Sequence, residues 1–134
     1  MSQFGGGFVP GLRVERDDLD ASADFLASEH YMVKRGGVTL DASLVPADAN
    51  GDRIIRGGTV IGKVTTTGFY GPYSNAQVDG RGTATGVLFP GDLNLRHGAT
   101  MLAGMLIHGS VLEARCTGVD EAAKTDLAGR VIFQ

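Results

Sequence analysis

Apolar residues along this chain fall in short bursts, and glycine or proline separates one burst from the next. The run 59–67 is rich in Val, Ile and Thr, which favour the pleated, half-buried surface of a strand. Gly57-Gly58 precedes this run, and Gly71-Pro72 indicates a turn after it. A second strand is predicted over 83–89, behind an Asp79-Gly80 pair that favours a tight reversal. The pattern predicts a mainly β fold, a small β-barrel or sandwich of short strands.

Further strands are expected on both sides of this centre. Val38-Thr39-Leu40 is predicted as the first core strand. Asn50-Gly51 is typical of a type I′ hairpin, here joining Leu44-Val45 to Ile54-Ile55. The alternation in 92–95 suits another half-buried strand.

The C-terminal third is the most apolar part of the chain. We expect 101–116 to form two strands that separate at Gly109-Ser110. One short helix is predicted over 120–128, with Asp120 as its N-cap and Gly129 as its stop. Because so short a helix is marginal alone, Ala123 and Leu127 are expected to pack on the barrel. A last strand is expected over 130–134.

Residues 1–35 are predicted to form a flexible, extended N-terminal arm, and 36–134 the β-rich domain. The arm contains Gly5-Gly6-Gly7, Pro10-Gly11 and an acidic stretch from Glu15 to Asp24. Such a segment buries too little apolar surface to offset the entropy of ordering. Two interpretations stay open: a disordered solvated tail, or an arm that orders only on a partner. Deleting residues 1–30 is expected to leave the β core folded.

A short apolar anchor lies within this arm. Phe25, Leu26, Ser28, Glu29 and Tyr31 belong to a segment that could add a strand to the exposed edge of a partner's sheet. Main-chain hydrogen bonds would then supply affinity, and Phe25 would fill a pocket in the partner. These five residues are our candidates for the binding site.

Charge and composition narrow the function. The net charge is −3, and the basic residues are scattered, so nothing supports a nucleic-acid-binding surface. Twenty-one glycines indicate many turns. The N-terminus shows no secretory signal, and no apolar run is long enough to span a membrane. We therefore expect synthesis in a reducing cytoplasm.

The residue types that support catalysis or metal binding do not form a recognisable constellation. His30, His97 and His108 show no metal-ligand spacing. Cys116 lies in an apolar stretch and is expected to be a buried structural thiol. The segment 48–52 has the alternating oxygens of a calcium loop, but its glycine is misplaced, so a turn is expected. We predict no enzyme activity, no metal and no cofactor.

An ordered set of motifs carries a family resemblance from about Phe25 to the C-terminus. Gly58-Thr59-Val60-Ile61-Gly62-Lys63 is followed by Gly68-Phe69-Tyr70-Gly71-Pro72-Tyr73, then by Asp79-Gly80 and by Thr83-Ala84-Thr85-Gly86-Val87-Leu88. This order resembles the tailed-phage head decoration proteins, the lambda D-like family. Ile61 replaces the family's usual leucine. The resemblance implies a β-tulip-like fold with a short C-terminal helix.

The resemblance also implies a function and partners. A decoration protein would bind the major capsid protein on the outer surface of the expanded phage head, as a homotrimer, and stabilise the head against DNA pressure. It would be made in the host cytoplasm and would bind neither nucleic acid nor membrane. An alternative is a small β-barrel module that binds carbohydrate or another surface ligand; for carbohydrate, Tyr70 and Tyr73 would face solvent together. A small β-barrel hydrolase or lyase is a third possibility.

Overall fold

The structure is a computed structural model, and it describes residues 23–134. Nine strands and one α-helix occur in this part of the chain, together with 3-10 turns at Ala42–Leu44 and Glu113–Arg115. The strands are β1 (Met32–Val33), β2 (Val38–Asp41), β3 (Ile54–Ile55), β4 (Val60–Lys63), β5 (Tyr70–Pro72), β6 (Ala84–Phe89), β7 (Leu93–Asn94), β8 (Thr100–Val111) and β9 (Val131–Phe133), and the helix is α1 (Glu121–Asp126).

Five of these strands close into a barrel. The hydrogen-bonded order is β8, β2, β5, β4 and β6, and β6 then pairs with β8 to complete the ring. Only the β2–β5 pair is parallel among these five pairings. The predicted mainly β fold with one short helix is confirmed, and of the two architectures expected, the barrel is the one formed.

Both faces of the barrel wall are buried over much of its area. Because side chains alternate along a strand, Val60 and Ile61 point to opposite faces, as do Val87 and Leu88. The barrel interior is filled by Val38, Leu40, Ala42, Val45, Ile55, Ile61, Tyr70, Leu88, Leu95 and Met105. A second cluster, here called the outer core, contains Phe25, Val60, Tyr73, Ala84, Val87, Leu106, Val111, Ala123, Leu127 and Val131.

The long strand β8 connects the two clusters, and the expected break at Gly109-Ser110 is wrong. Its first part pairs with β2, its middle with β6 and β1, and its last residues with β9. Partners along the whole length keep the strand continuous. Gly109 adopts φ 146°, and a Cβ there would lie 3.0 Å from the Cβ of Tyr31. Glycine therefore allows a close approach rather than a chain break.

The expected hairpin around Asn50-Gly51 is also wrong in its strands. The turn itself forms, because Asp48 Oδ1 accepts hydrogen bonds from the amides of Asn50 (2.8 Å) and Asp52 (3.0 Å). However, β3 pairs with the distant β7, and Ala42–Leu44 is a 3-10 turn. Arg53 fixes this turn by donating to the carbonyls of Ala42 (3.0 Å) and Val45 (2.6 Å).

Gly71-Pro72 is not a turn but part of β5, where Pro72 lies opposite Ile61. The chain reverses earlier, where the Gly68 amide donates to the Val64 carbonyl over 2.9 Å. Gly71 lies against Leu44, whose Cδ1 would be 2.6 Å from a Cβ at this position. The glycine therefore serves close packing rather than chain reversal.

The predicted C-terminal helix and last strand are confirmed. Asp120 caps α1 by accepting from the Ala123 amide over 2.8 Å, and Gly129 beyond the helix has φ 85°. Ala123 and Leu127 are fully buried in the outer core. After this helix, β9 pairs in parallel with the end of β8. The helix therefore covers the outer face of the barrel, as its two apolar side chains predicted.

Candidate functional site

The segment from Phe25 to Asp41 pairs with β8 at several places. The Leu112 amide donates to the Phe25 carbonyl over 2.6 Å, and the Ala27 amide donates to the Ser110 carbonyl over 3.0 Å. Further along, β1 and then β2 pair with β8. The described part of the predicted arm, residues 23–35, is therefore added to the protein's own sheet. Residues 1–22 of that arm lie outside the described part of the chain.

Phe25 is a core residue in this arrangement. Its side chain is 1% exposed, and its ring meets that of Phe89 edge-on, with centroids 6.4 Å apart and planes at 84°. Leu26 forms an antiparallel bridge with Val111 and packs partly buried against the outer core. Phe25 precedes the predicted first core strand at Val38 and is nevertheless part of the core, because the last residues of β8 offer an edge that this segment occupies.

The remaining candidates are on the surface. Ser28 and Glu29 are exposed, and the Ser28 hydroxyl accepts a hydrogen bond from the His30 amide over 3.0 Å. Tyr31 is 40% exposed, and its ring lies 5.2 Å from that of Phe89. The structure thus divides the five candidates: Phe25 and Leu26 hold the segment on β8, while Ser28, Glu29 and Tyr31 are accessible to a partner.

Several large apolar side chains are exposed on the same group of strands. Leu102, Ile132 and Met32 are 70%, 59% and 58% exposed. With Tyr31 and Val33 they form what we call the exposed apolar set, carried by β1, β8, β9 and the residue before β1. Leu102, Ile132 and Met32 are not among the binding residues that the sequence predicted. The alternation along β8 could have indicated Leu102, since Met101 and Ala103 on either side contact the barrel interior.

A cleft of about 240 Å³ lies where residues 28–30, the end of β8 and the start of β9 meet. It is lined by Ser28, His30, His108, Gly109, Ser110, Gly129, Arg130 and Ile132. Two members of the exposed apolar set, Met32 and Ile132, border the cleft, because Met32 pairs with His108 and Ile132 pairs with Ser110. The cleft therefore opens beside apolar surface rather than within a wholly polar region.

Val78 is almost fully exposed, at 99%, in a loop that polar contacts hold in place. Arg81 Nη2 lies 3.0 Å from Asp79 Oδ2 and also donates to Gln77 Oε1 over 3.0 Å. The hydrogen bond from Arg81 lowers the pKa of the Asp79 carboxyl. The Asp79 carbonyl in turn accepts from the Thr65 amide over 2.9 Å.

The single cysteine, Cys116, is half-buried and packs against the outer core. Burial, and to a smaller extent the negative charge of Glu113, raises the pKa of its thiol to about 11. Since the thiolate is the reactive form, the thiol is expected to react slowly at neutral pH.

The structure also bears on the alternative functions. Tyr70 and Tyr73 are both buried, at 8% and 6% exposure, so they do not form a solvent-facing aromatic pair for a sugar. Within residues 23–134, no group of three or more His, Cys, Asp or Glu side chains is placed to hold a metal ion. None of the helices in the described region has the length and hydropathy of a membrane-spanning helix.

The described residues thus form a closed β-barrel covered by a short helix, with an N-terminal segment on the edge of β8 and exposed apolar side chains nearby. The family model of the bacteriophage lambda head decoration protein D matches residues 19–124. This chain belongs to that family and is a phage head decoration protein, a structural component of the virion capsid. Comparisons with characterised proteins and with solved structures gave no significant match.

Proposed function

We propose that this protein binds the outer surface of the expanded phage head as a homotrimer and stabilises the head against internal DNA pressure. The match to the decoration-protein family over residues 19–124 carries this proposal. A decoration protein made in the host cytoplasm would add to the shell from outside. It would bind neighbouring shell subunits and hold them together.

The exposed apolar set supports the homotrimer. Leu102, Ile132 and Met32 each leave more than half of their surface in contact with solvent, and covering apolar side chains is favourable by about 25 cal/mol per Å². Burial of these side chains against another copy would remove their apolar surface from water. Cyclic three-fold symmetry would place the same residues of three copies around one axis.

The proposed capsid partner is the major capsid protein, and the proposed contact residues are those of the N-terminal segment. Ser28, Glu29 and Tyr31 would touch the capsid directly, because they are accessible with the segment in place. Phe25 and Leu26 would act by fixing the segment on β8. A trimer presents three such segments, so weak single contacts act together at high effective concentration.

Co-sedimentation tests this function. Purified protein is mixed with expanded heads that lack decoration, and separately with unexpanded proheads, and the bound protein is quantified. We expect binding to expanded heads and little binding to proheads. Equal binding to both particles, or to neither, would contradict the proposal.

The density of decorated heads tests the oligomeric state. We expect three copies around each local three-fold position, with the exposed apolar set between copies. Copies bound singly and without mutual contact would refute the homotrimer while leaving the capsid contact intact. Leu102→Ser tests the contact between copies. We expect it to weaken that contact without unfolding the monomer, because an exposed residue can be changed with little effect on the fold.

A further inference from the structure

The cleft between residues 28–30, β8 and β9 has one charged residue in its lining, Arg130. The imidazoles of His30 and His108 and two serine hydroxyls lie with it, and no lining residue is acidic. The whole chain, in contrast, has a net charge of −3. The cleft is therefore a local site suited to binding an anion, although the protein as a whole is acidic.

Arg130 is fixed in position without a carboxylate partner among the described residues. Its Nη1 donates to the Thr85 carbonyl over 3.2 Å and its Nη2 to the Asp126 carbonyl over 3.0 Å. The Asp126 carboxylate is directed elsewhere, since Oδ2 accepts from the Ala84 amide over 2.9 Å. A guanidinium has five N–H donors, so Arg130 retains donors for a ligand.

Four other arginines of the described residues differ from Arg130 in this respect, whereas Arg53 is likewise held by main-chain carbonyls. Each of the four forms a salt bridge with an aspartate at 3.0 Å or less: Arg56, Arg81, Arg96 and Arg115. Main-chain carbonyls hold the Arg130 side chain in place but do not neutralise its charge. Among residues 23–134, the Arg130 charge is thus oriented and has no carboxylate partner.

The size and walls of the cleft limit what it can hold. At about 240 Å³ it is smaller than the roughly 300–1,000 Å³ typical of small-molecule pockets, and it fits a single side chain. Gly109 leaves space at the wall of the cleft, because a Cβ at this position would lie 3.3 Å from the His30 carbonyl oxygen. Ile132 supplies an apolar rim for the methylene groups of an acidic side chain.

We propose that this cleft binds the carboxylate of a glutamate or aspartate side chain presented by the capsid protein. This inference rests on the proposed function for the identity of the partner. The Arg130 guanidinium would bind the carboxylate through its planar fork, and the imidazoles and serine hydroxyls would donate further hydrogen bonds. A partner that covers Met32 and Ile132 would also exclude water from the cleft, which strengthens the ion pair.

Head binding of matched variants tests the cleft. Arg130→Gln removes the charge, and we expect its affinity for expanded heads to fall at least about tenfold, while His108→Gln lowers affinity about threefold. Arg35→Gln and His97→Gln are controls, because both residues are exposed and neither lines the cleft; their affinities should stay within about twofold of the wild type. Unchanged binding by Arg130→Gln would overturn the proposal.

Arg130→Lys separates a role in binding from a role in folding. Lysine keeps the charge but loses the fork, so binding should be intermediate if the guanidinium holds a carboxylate. Melting temperatures of all variants are measured in parallel. A loss of binding that follows the loss of melting temperature across the variants, including those at His108, would overturn the proposal.

A titration without heads makes failure of the site distinguishable from failure of the proposed function. Acetyl-glutamate amide is added to the full chain, and the NMR signals of the Gly109 and Ser110 amides and of the histidine rings are followed. We expect saturable shifts at His30 and His108, absent at His97 and absent in Arg130→Gln. An equal response to the neutral acetyl-glutamine amide, an equal response to inorganic phosphate, or no response would overturn the carboxylate site. Wild-type protein that fails to bind heads would contradict the proposed function instead.

Discussion

One carboxylate oxygen, Oδ1 of Asp120, receives hydrogen bonds from both the Tyr73 hydroxyl and the Ala123 amide, over 2.9 Å and 2.8 Å. Tyr73 follows β5 directly, and Asp120 is the N-cap of α1. The N-terminal end of the helix is thereby attached to the barrel wall through a single atom. The helix also contributes Ala123 and Leu127 to the outer core, so this link and the apolar packing position the same element.

We predict that Tyr73→Phe lowers the free energy of unfolding by about 1 kcal/mol, because it removes one hydrogen bond and keeps the aromatic packing. Asp120→Ala should cost more, about 1–2 kcal/mol, since it removes the helix cap and also leaves the buried Tyr73 hydroxyl without its partner. Asp120→Asn is the control, because asparagine also caps helices. Chemical denaturation measures all three, and an equal loss for Tyr73→Phe and Asp120→Ala would contradict this arrangement.

The contact between Tyr73 and Asp120 also predicts a loss of stability at alkaline pH. Burial, together with the Asp120 carboxylate, raises the pKa of Tyr73 from 10.0 to about 12. The fold therefore favours the neutral phenol, and this contribution is complete below pH 10 and is lost as the pH rises toward 12. Cys116 titrates in part of this range, so the wild type must be compared with Tyr73→Phe. We expect unfolding free energy to fall less steeply between pH 10 and 12 in the variant.

For Phe25 we predict a structural role. Phe25→Ala should lower the free energy of unfolding by about 3–5 kcal/mol, because a fully buried aromatic side chain is replaced by a cavity. Deleting residues 1–30 should lower the melting temperature for the same reason, whereas deleting residues 1–22 keeps Phe25 and serves as the control. Equal melting temperatures for the two truncated proteins would show that Phe25 does not stabilise the barrel.

Substitutions on the two faces of β6 test the double-sided burial of the barrel wall. Val87 and Leu88 are both fully buried, Val87 in the outer core and Leu88 in the barrel interior. We expect Leu88→Ala to cost about 2–5 kcal/mol and Val87→Ala about 1.5–3 kcal/mol. Leu102→Ala, on a strand but 70% exposed, should change stability little. A neutral Val87→Ala would mean that the helix and β9 do not seal the outer face.

Local patterns in the sequence were sufficient for the elements whose signals are themselves local. The cap at Asp120, the stop at Gly129 and the apolar pair Ala123 and Leu127 predicted α1 and its buried face correctly. The β-branched run 59–67 predicted β4 in its first half, and the strand predicted over 83–89 matches β6. Each of these signals depends on the conformational preference of a few neighbouring residues, which a sequence displays directly.

The family resemblance, too, was available from the sequence, because it depends on an ordered set of motifs. Its expected function as a phage head decoration protein agrees with the family match over residues 19–124. The five candidate residues of the N-terminal segment were also chosen from the sequence. Their contact with the capsid remains a prediction.

Pairing between distant segments was decided by the tertiary structure. β3 finds its partner in β7, and β8 continues through Gly109 because partners are present along its entire length. Phe25 is apolar in an otherwise polar stretch, so the sequence alone fits either a partner's pocket or the protein's own core. The free edge at the end of β8 favours the core, and Arg130 acquires its place beside two histidines only when β9 pairs there. Such choices depend on which surfaces fold together, and no local run of residues contains that information.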